Sequence, residues 1–412
     1  MAKILILIGG HLCTAPRPQK EAETLANAGH EVIVRGFWFD PELVRRDHLL
    51  MANKKWQFQP ILDFQPHQRL RNLSTRLRSS LSKEGFRLLG FFLPELLGYG
   101  TQMMLKVARQ TCADLTIVHS EAGLWVGDQL LNDGFKIGVD FEDWFSEDLL
   151  PKDRVIRPIK HLKVLESRLA RKCSYCLTTS DAMAEALIEA YQVPKPMTIY
   201  NSFPWAERSQ IDHQKGDRYN LNLPSIHWFS QTIGPRRGLE TLFQALPKLK
   251  TPVEIHLRGN YPDSYRQYFE PLVPTEWHHR LFIHPTVSNV ELLSRIAEHD
   301  IGLALEFTDI PSRNLTVTNK LFQYIQAGLA VIATDTVGQR EIFSQRPEIG
   351  RLIPSNNPSI LAQALNDLLD SPDKLKAAKD AAIRAAKEQF CWEIESQKLV
   401  QAAEIALNQS GR

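Results

Sequence analysis

The stretch from Asn319 to Ile342 reads NKLFQYIQAGLAVIATDTVGQREI, a short helix, a buried strand and the start of a second helix. Leu321, Phe322 and Ile325 fall on the core side of the first helix, while Asn319 and Gln323, four residues apart, share another face. LAVIAT is a near-continuous apolar run, as expected of a strand covered on both faces. Thr316 or Thr318 is placed to cap the helix, whose first-turn N–H groups then point at any anion nearby, and Lys320 adds a full charge there. Such an end suits a phosphate or a sugar hydroxyl. The same residues would also serve as a plain cap with a solvated lysine.

Outward from this stretch the pattern repeats. SIHWFSQT, VEIHLRG, LFIHP, IGLALEF, LAVIAT and IGRLIP read as strands with helices between them, and Asn357 before Pro358 marks the start of the last helices. In the first half KILILI, HEVIVRGF, DLTIVHS, FKIGVDF and SYCLTTS alternate with helical segments. The first of these helices is PRPQKEAETLANAG, with prolines at its start and Gly29 at its end. Strand–helix alternation means right-handed crossovers and parallel sheets. The polar, aperiodic stretch around 202–223 reads as a linker. The expected organisation is a doubly wound α/β domain over 1–205, a second over 206–390, and a terminal helix over 391–412. Ligands of such sheets bind outside the carboxyl ends of the strands, and a cleft between two domains is a preferred place for them.

The bulk properties agree. A chain of 412 residues is too long for one ordinary core. Its 43% hydrophobic and 23% charged residues are those of a globular protein, and a net charge of only +2 argues against a dedicated nucleic-acid binder. Five cysteines are too few and odd in number for a disulfide framework, which fits a reducing cytoplasm. Cys173 and Cys176 have redox or zinc spacing but no second pair. The thirteen histidines are scattered without a metal motif. Ile4 to Ile8 is too short for the apolar region of a signal peptide and reads as a buried first strand ended by Gly9 and Gly10. These glycines lack a full dinucleotide fingerprint, yet Gly10 is placed to let the backbone approach the phosphates of a ligand.

A second cationic turn, Gly234-Pro235-Arg236-Arg237-Gly238, follows a strand and precedes a helix. Guanidinium forks match phosphate oxygens, so two cationic loop–helix junctions in one domain favour a diphosphate-bearing ligand.

In this order the motifs resemble glycosyltransferase family 4, the glycosyl transferases of group 1. NKLFQYIQAGLAVIATD is similar to the family's donor-site signature, and GPRRGLETL to its glycine- and cation-containing loop. PRPQKEAETLANAGHEV, LESRLARKCSYCLTTSDAMAEAL and MTIYNSF are similar to segments of its first domain, and FCWEIESQKL to the helix that crosses back to that domain. The resemblance implies a GT-B fold, two Rossmann-like domains facing a cleft. It also implies transfer of a sugar from a nucleotide diphosphate sugar to an acceptor hydroxyl, with no metal or other cofactor. The donor residues it implies are Arg236, Arg237, Asn319, Lys320 and Gln323, beside Gly10 and Thr318 from the glycine and capping readings above. The chain departs from the family where Gln323 and Leu315 stand in place of two donor-site glutamates, Ala330 in place of a proline, and Gln231-Thr232 in place of glycine–arginine. Glu306, upstream at a strand end, is a candidate substitute. These departures keep two rivals open: a nucleotide-sugar epimerase of the same fold, and an inactive glycosyltransferase-like binding subunit.

On the acceptor side, KIGVDFEDWFSED ends a strand with Asp140, where relatives often carry a histidine. Asp140 is the candidate general base, which would favour inversion. Alternatively it orients a hydroxyl while the donor phosphate takes the proton, or it belongs to a solvated acidic turn. His119, Glu121 and Asp143 are candidate acceptor contacts. Finally, residues 69–109 hold eight Lys or Arg against two acids, a net +6 in a chain of +2 overall. With the apolar run FRLLGFFLPELLGYG inside it, the region reads either as ordinary core with its arginines on a solvated face or acceptor groove, or as a peripheral docking surface for the anionic cytoplasmic leaflet, which would suit a lipid-linked rather than a plain saccharide acceptor.

Overall fold

The computed structural model describes residues 1–65, 72–150, 154–155 and 157–409. It contains two compact units: residues 1–199 with 396–412, and residues 200–395.

The first unit is built on a seven-stranded sheet: β1 (Lys3–Leu7), β2 (Glu31–Trp38), β3 (Gln57–Asp63), β4 (Leu115–Val118), β5 (Ile137–Phe141), β6 (Tyr175–Thr178) and β7 (Met197–Thr198). The spatial order is β3-β2-β1-β4-β5-β6-β7, and every pairing is parallel. Ile4, Leu5, Ile6 and Leu7 are wholly buried, which explains the unbroken apolar run. β3 has no counterpart among the expected strands. Its sequence, QFQPILD, carries Pro60, which removes a ladder donor and is tolerated because β3 is the edge. The helix Pro16–Asn27 connects β1 to β2, with Pro in its first turn.

The second unit holds β8 (Ser225–Thr232), β9 (Glu254–Asn260), β10 (Leu281–His284), β11 (Ile301–Ala304), β12 (Ala330–Thr334) and β13 (Gly350–Ile353). Their order is β10-β9-β8-β11-β12-β13, again all parallel. In each sheet the order reverses beside the first strand, between β1 and β4 and between β8 and β11. Those reversals are where ligands of doubly wound folds sit.

The stretch 202–223, expected as a linker, lies within the second unit and is pinned by charge. Arg218 Nε donates to Glu254 Oε2 at 2.8 Å, Asp217 pairs with Arg258, and Asp212 with Arg295. Beneath it, histidines far apart in sequence gather. The ring of His299 lies 4.5 Å from those of His227 and His256, and His256 Nδ1 stands 3.0 Å from His284 Nε2. All four are buried.

The final helix, Trp392–Asn408, passes from one unit to the other along the chain, its residues from Ser396 onward belonging to the first. There Lys136 Nζ donates to the Leu407 carbonyl at 2.6 Å.

Candidate functional site

The helix Asn319–Ala327 starts beyond the carboxyl ends of β8 and β11, and its first turn presents Lys320. Lys320 is 6% exposed, so it is not the solvated residue that an exposed junction would give. Its Nζ lies 2.9 Å from Glu306 Oε1, just past β11, and 5.3 Å from the centroid of the Trp228 ring on β8. The backbone N–H of Glu306 donates to Thr334 Oγ1 at 3.0 Å, which fixes the carboxylate from β12. Arg237 brings Nη1 to 4.0 Å from the other Glu306 oxygen, and the Trp228 indole N–H donates to the Arg237 carbonyl at 3.3 Å. Trp228 thus links both cations. One carboxylate between two cations leaves a formal positive charge at the switch point of the sheet.

The cationic turn is shaped by its backbone. Arg236 has φ 62°, unusual for a residue with a side chain, and Gly238 has φ 81° with Leu305 Cβ 2.3 Å from where a Cβ would stand. Arg236 points away from Glu306: it pairs with Asp309 and lies over Phe307. Neither threonine caps the helix with its side chain. Thr318 occupies the N-cap position without a capping bond, and Thr316 Oγ1 donates to the Ser312 carbonyl at 2.8 Å. Asn319 Oδ1 accepts from Asn201 Nδ2 at 2.8 Å, and Gln323 is half-buried one turn further on. Of the expected donor residues, Lys320 and Arg237 therefore converge on Glu306, while Arg236 and Asn319 are held by other partners.

Residues 224–371 match the family model described as Glycosyl transferases group 1. That match lies within the second unit. Among relatives, the MMP α-(1→4)-mannosyltransferase of Mycolicibacterium hassiacum is 23% identical over 248 residues, 59% of this chain and 57% of that protein. The chain thus spans little more than half of that relative's length. Anabaena HepE, solved in complex with UDP-glucose, superposes with a TM-score of 0.71 at 16% identity over 98% of this chain and 100% of that one. Sucrose-phosphate synthase from Thermosynechococcus elongatus gives 0.70 at 14% identity, covering 98% of each. The fold is GT-B, the two Rossmann-like domains expected from the sequence.

In the first unit, a separate cluster forms where β1, β4 and β5 end. Asp140, fully buried on β5, accepts from Arg17 Nε at 2.6 Å, and Arg17 Nη1 donates to the Ile199 carbonyl at 2.7 Å. Arg17 also stands 3.6 Å from Glu21 one turn along the same helix. His119, at the end of β4, has Nε2 3.0 Å from Glu21 Oε2 and Nδ1 2.6 Å from Glu142 Oε1. Burial alone would lower the His119 pKa. Carboxylates on both ring nitrogens outweigh it and hold the imidazole well above its ordinary value. Burial pushes Glu21 up to about 8, against the pull of His119. Burial would also raise Asp140, but Arg17, helped by Glu21 and His119, holds it below the usual range.

Asp140 thus has no solvent-accessible surface, and its proton affinity is reduced. Glu142, whose side chain is 28% exposed, is the member of the cluster that reaches the surface. Glu121 is turned to Arg157 instead, and Asp143 is half-buried outside the cluster's bonds described above. The Gly10 carbonyl accepts from Phe37 N–H at 3.0 Å, and nothing lies within 4 Å of where its Cβ would be, so its backbone is open to approach. Glu21, His119 and Asp140 each offer a ligand atom within 4.8 Å of the others, the spacing of a metal site, but Arg17 already supplies a cation there.

Proposed function

We propose that the protein transfers a glycosyl group from a nucleotide diphosphate sugar, bound by the second unit, to an acceptor hydroxyl handled by the first. The observation that carries this reading is the Lys320–Glu306–Arg237 cluster at the β8–β11 switch point of a group 1 domain. In the proposed step the bond from the anomeric carbon to the diphosphate oxygen breaks, and the acceptor oxygen bonds to that carbon and gives up its proton. Lys320 and Arg237 meet the charge that develops on the departing diphosphate. Glu142, its other end pinned by His119, is the carboxylate suited to orient the acceptor hydroxyl or take its proton. The reading invokes no resident metal.

A saccharide or lipid-linked acceptor, a product in cell-surface polysaccharide or glycolipid synthesis, and work in the cytoplasm at the inner face of the membrane complete the proposal. Support for the location comes from the basic region before residue 110. Its Arg69 and Arg71 lie outside the described residues. Among the described residues no helix is long and apolar enough to cross a membrane.

The test is calorimetric titration with uridine, guanosine and adenosine diphosphates, followed by incubation of the matching sugar nucleotides with and without acceptor. A sugar product that forms only with acceptor supports transfer. Isomerised or hydrolysed donor alone would point to an epimerase. Binding without any turnover of donor would indicate an inactive subunit, the reading that Leu315 and Gln323 favour.

A further inference from the structure

The helix Leu73–Leu89, LSTRLRSSLSKEGFRLL, is amphipathic in the wrong sense for a helix packed on a core. Its wholly buried positions are Ser79 and Ser82, whereas Leu73, Leu77, Leu81 and Leu88 are 61%, 58%, 61% and 71% exposed. At about 100° per residue the four leucines share an arc of about 80°, opposite the serines. Serine is the residue a helix usually gives to water, and leucine the one it withdraws. An arc of leucines turned outward on one helix marks a contact surface rather than scattered exposure.

The charges say what fits it. The same wheel puts Arg76, Lys83 and Arg87 along one edge of the leucine arc and Arg78 along the other. Glu84 is the lone acid, inside the arc, and Arg87 Nη2 stands 2.9 Å from its carboxylate. Four cations against one acid leave the helix at +3. Long basic side chains beside an apolar stripe can leave their aliphatic stems on the apolar layer and carry their charge out to anionic groups. A second copy of this helix would bring like charges together across a two-fold axis, which disfavours self-association. The chain continues past Gly90 (φ 67°) with Leu89 83% and Phe91 63% exposed, extending the apolar surface at the helix end.

We infer that the outward face of helix Leu73–Leu89 docks on an anionic lipid surface, its leucines entering the headgroup boundary and its arginines and lysine binding headgroup phosphates. This rests on the membrane location proposed above and names the surface responsible. It does not depend on the donor chemistry.

The full chain is sedimented with phosphatidylcholine vesicles and with phosphatidylcholine–phosphatidylglycerol vesicles, at low and high salt. The wild type should pellet with the anionic vesicles at low salt and be released in part by salt. Leu77→Gln with Leu81→Gln should reduce the bound fraction by at least about tenfold at either salt. Arg78→Gln with Arg87→Gln should weaken binding and flatten its salt dependence. All four positions are exposed, so each variant should melt with the wild type. No pelleting of the wild type, or equal pelleting of the leucine variant, overturns the inference. So does a dimer in lipid-free sedimentation that the leucine variant loses, since the occupant would then be a second copy. Nucleoside diphosphate titration on the same samples separates the claims. Lost nucleotide binding with intact docking sinks only the transferase reading, and the converse sinks only the docking.

Discussion

Lys320 Nζ stands 2.9 Å from Glu306 Oε1, with less than a tenth of either side chain exposed. A buried pair of this kind makes single substitutions ambiguous, because removing one partner strands the other. Lys320→Ala should therefore cost about 3–5 kcal/mol of stability besides any loss of binding. The double variant Lys320→Met with Glu306→Gln removes both charges together and should fold. It should bind nucleoside diphosphate more weakly by about 1.5–3 kcal/mol, the value of a charge-assisted contact. Arg237→Ala, on a partly exposed side chain, should cost affinity in the same range with little loss of stability. Calorimetry showing wild-type affinity in both would place the diphosphate elsewhere.

The acceptor side separates two carboxylates by what holds them. Asp140→Asn leaves the Arg17 guanidinium buried beside a neutral amide, so its main effect should be a lower melting temperature. Glu142→Gln keeps an oxygen for His119 but removes a charge that helps hold its proton, so it should lower melting less than Asp140→Asn does while turnover falls by about 10²–10⁴-fold. Should Glu142→Gln turn over normally, the donor phosphate rather than this carboxylate takes the proton. The anomeric configuration of the product, read by NMR, checks the same point by another route.

The four histidines of the second unit predict an acid limit. Burial lowers the pKa of each, to about 4 for His256, although Glu254 pulls that ring the other way. Unfolded, each imidazole takes its proton near its ordinary value of about 6.5. Between these values the unfolded chain binds more protons, so stability is fully present above about pH 6.5 and is lost towards pH 4. The first unit should respond in the opposite sense. His119 and Glu21, the latter raised to about 8, both bind protons more tightly when folded and favour the folded state below neutrality. Calorimetric scans across pH should show the transition of the second unit falling on acidification while that of the first does not. Parallel movement of both would refute this division.

Gly302 on β11 is a packing requirement. A Cβ there would stand 2.3 Å from the ring of Tyr324, whose hydroxyl donates to the His227 carbonyl at 3.1 Å. Gly302→Ala should destabilise the second unit by about 1–3 kcal/mol, seen as a lower denaturation midpoint with an unchanged slope. Because Tyr324 shares a helix with Lys320, nucleoside diphosphate affinity should fall too. A variant as stable as the wild type would mean that the ring moves aside freely.

What the sequence revealed follows from how local each signal is. The apolar runs of β1, β4, β5, β11 and β12 are buried almost throughout, so they stand out. β3 does not, since an edge strand is half exposed and its Pro60 argues against a strand. Lys320 was legible because a helix start after a strand is a local pattern. The burial of Lys320 was not, because Glu306 and Trp228 reach it from β11 and β8. Arg17 and Glu21 look like an ordinary solvated pair one turn apart, and only their pairing with Asp140 on β5 and His119 after β4 shows that they point inward. The histidine cluster was invisible for the same reason, its members coming from separate strands. The outward leucines of helix Leu73–Leu89 are hidden by an inversion: the leucine period and the basic charge are both in the sequence, but nothing local says that the serines opposite form the packed face.

The helix Trp392–Asn408 has a consequence for how the chain is made. Since residues 396–409 complete the first unit, the second is an insert within it, and the first domain to be translated is not the first that can close. A growing chain holds every residue of the second unit once Glu395 has emerged, while Lys136 still waits for the Leu407 carbonyl. Synthesis from the amino end usually lets the leading domain fold first. Here the order should be reversed, and chains stopped at Glu395 should show a protease-resistant second unit beside a first unit that is still cut.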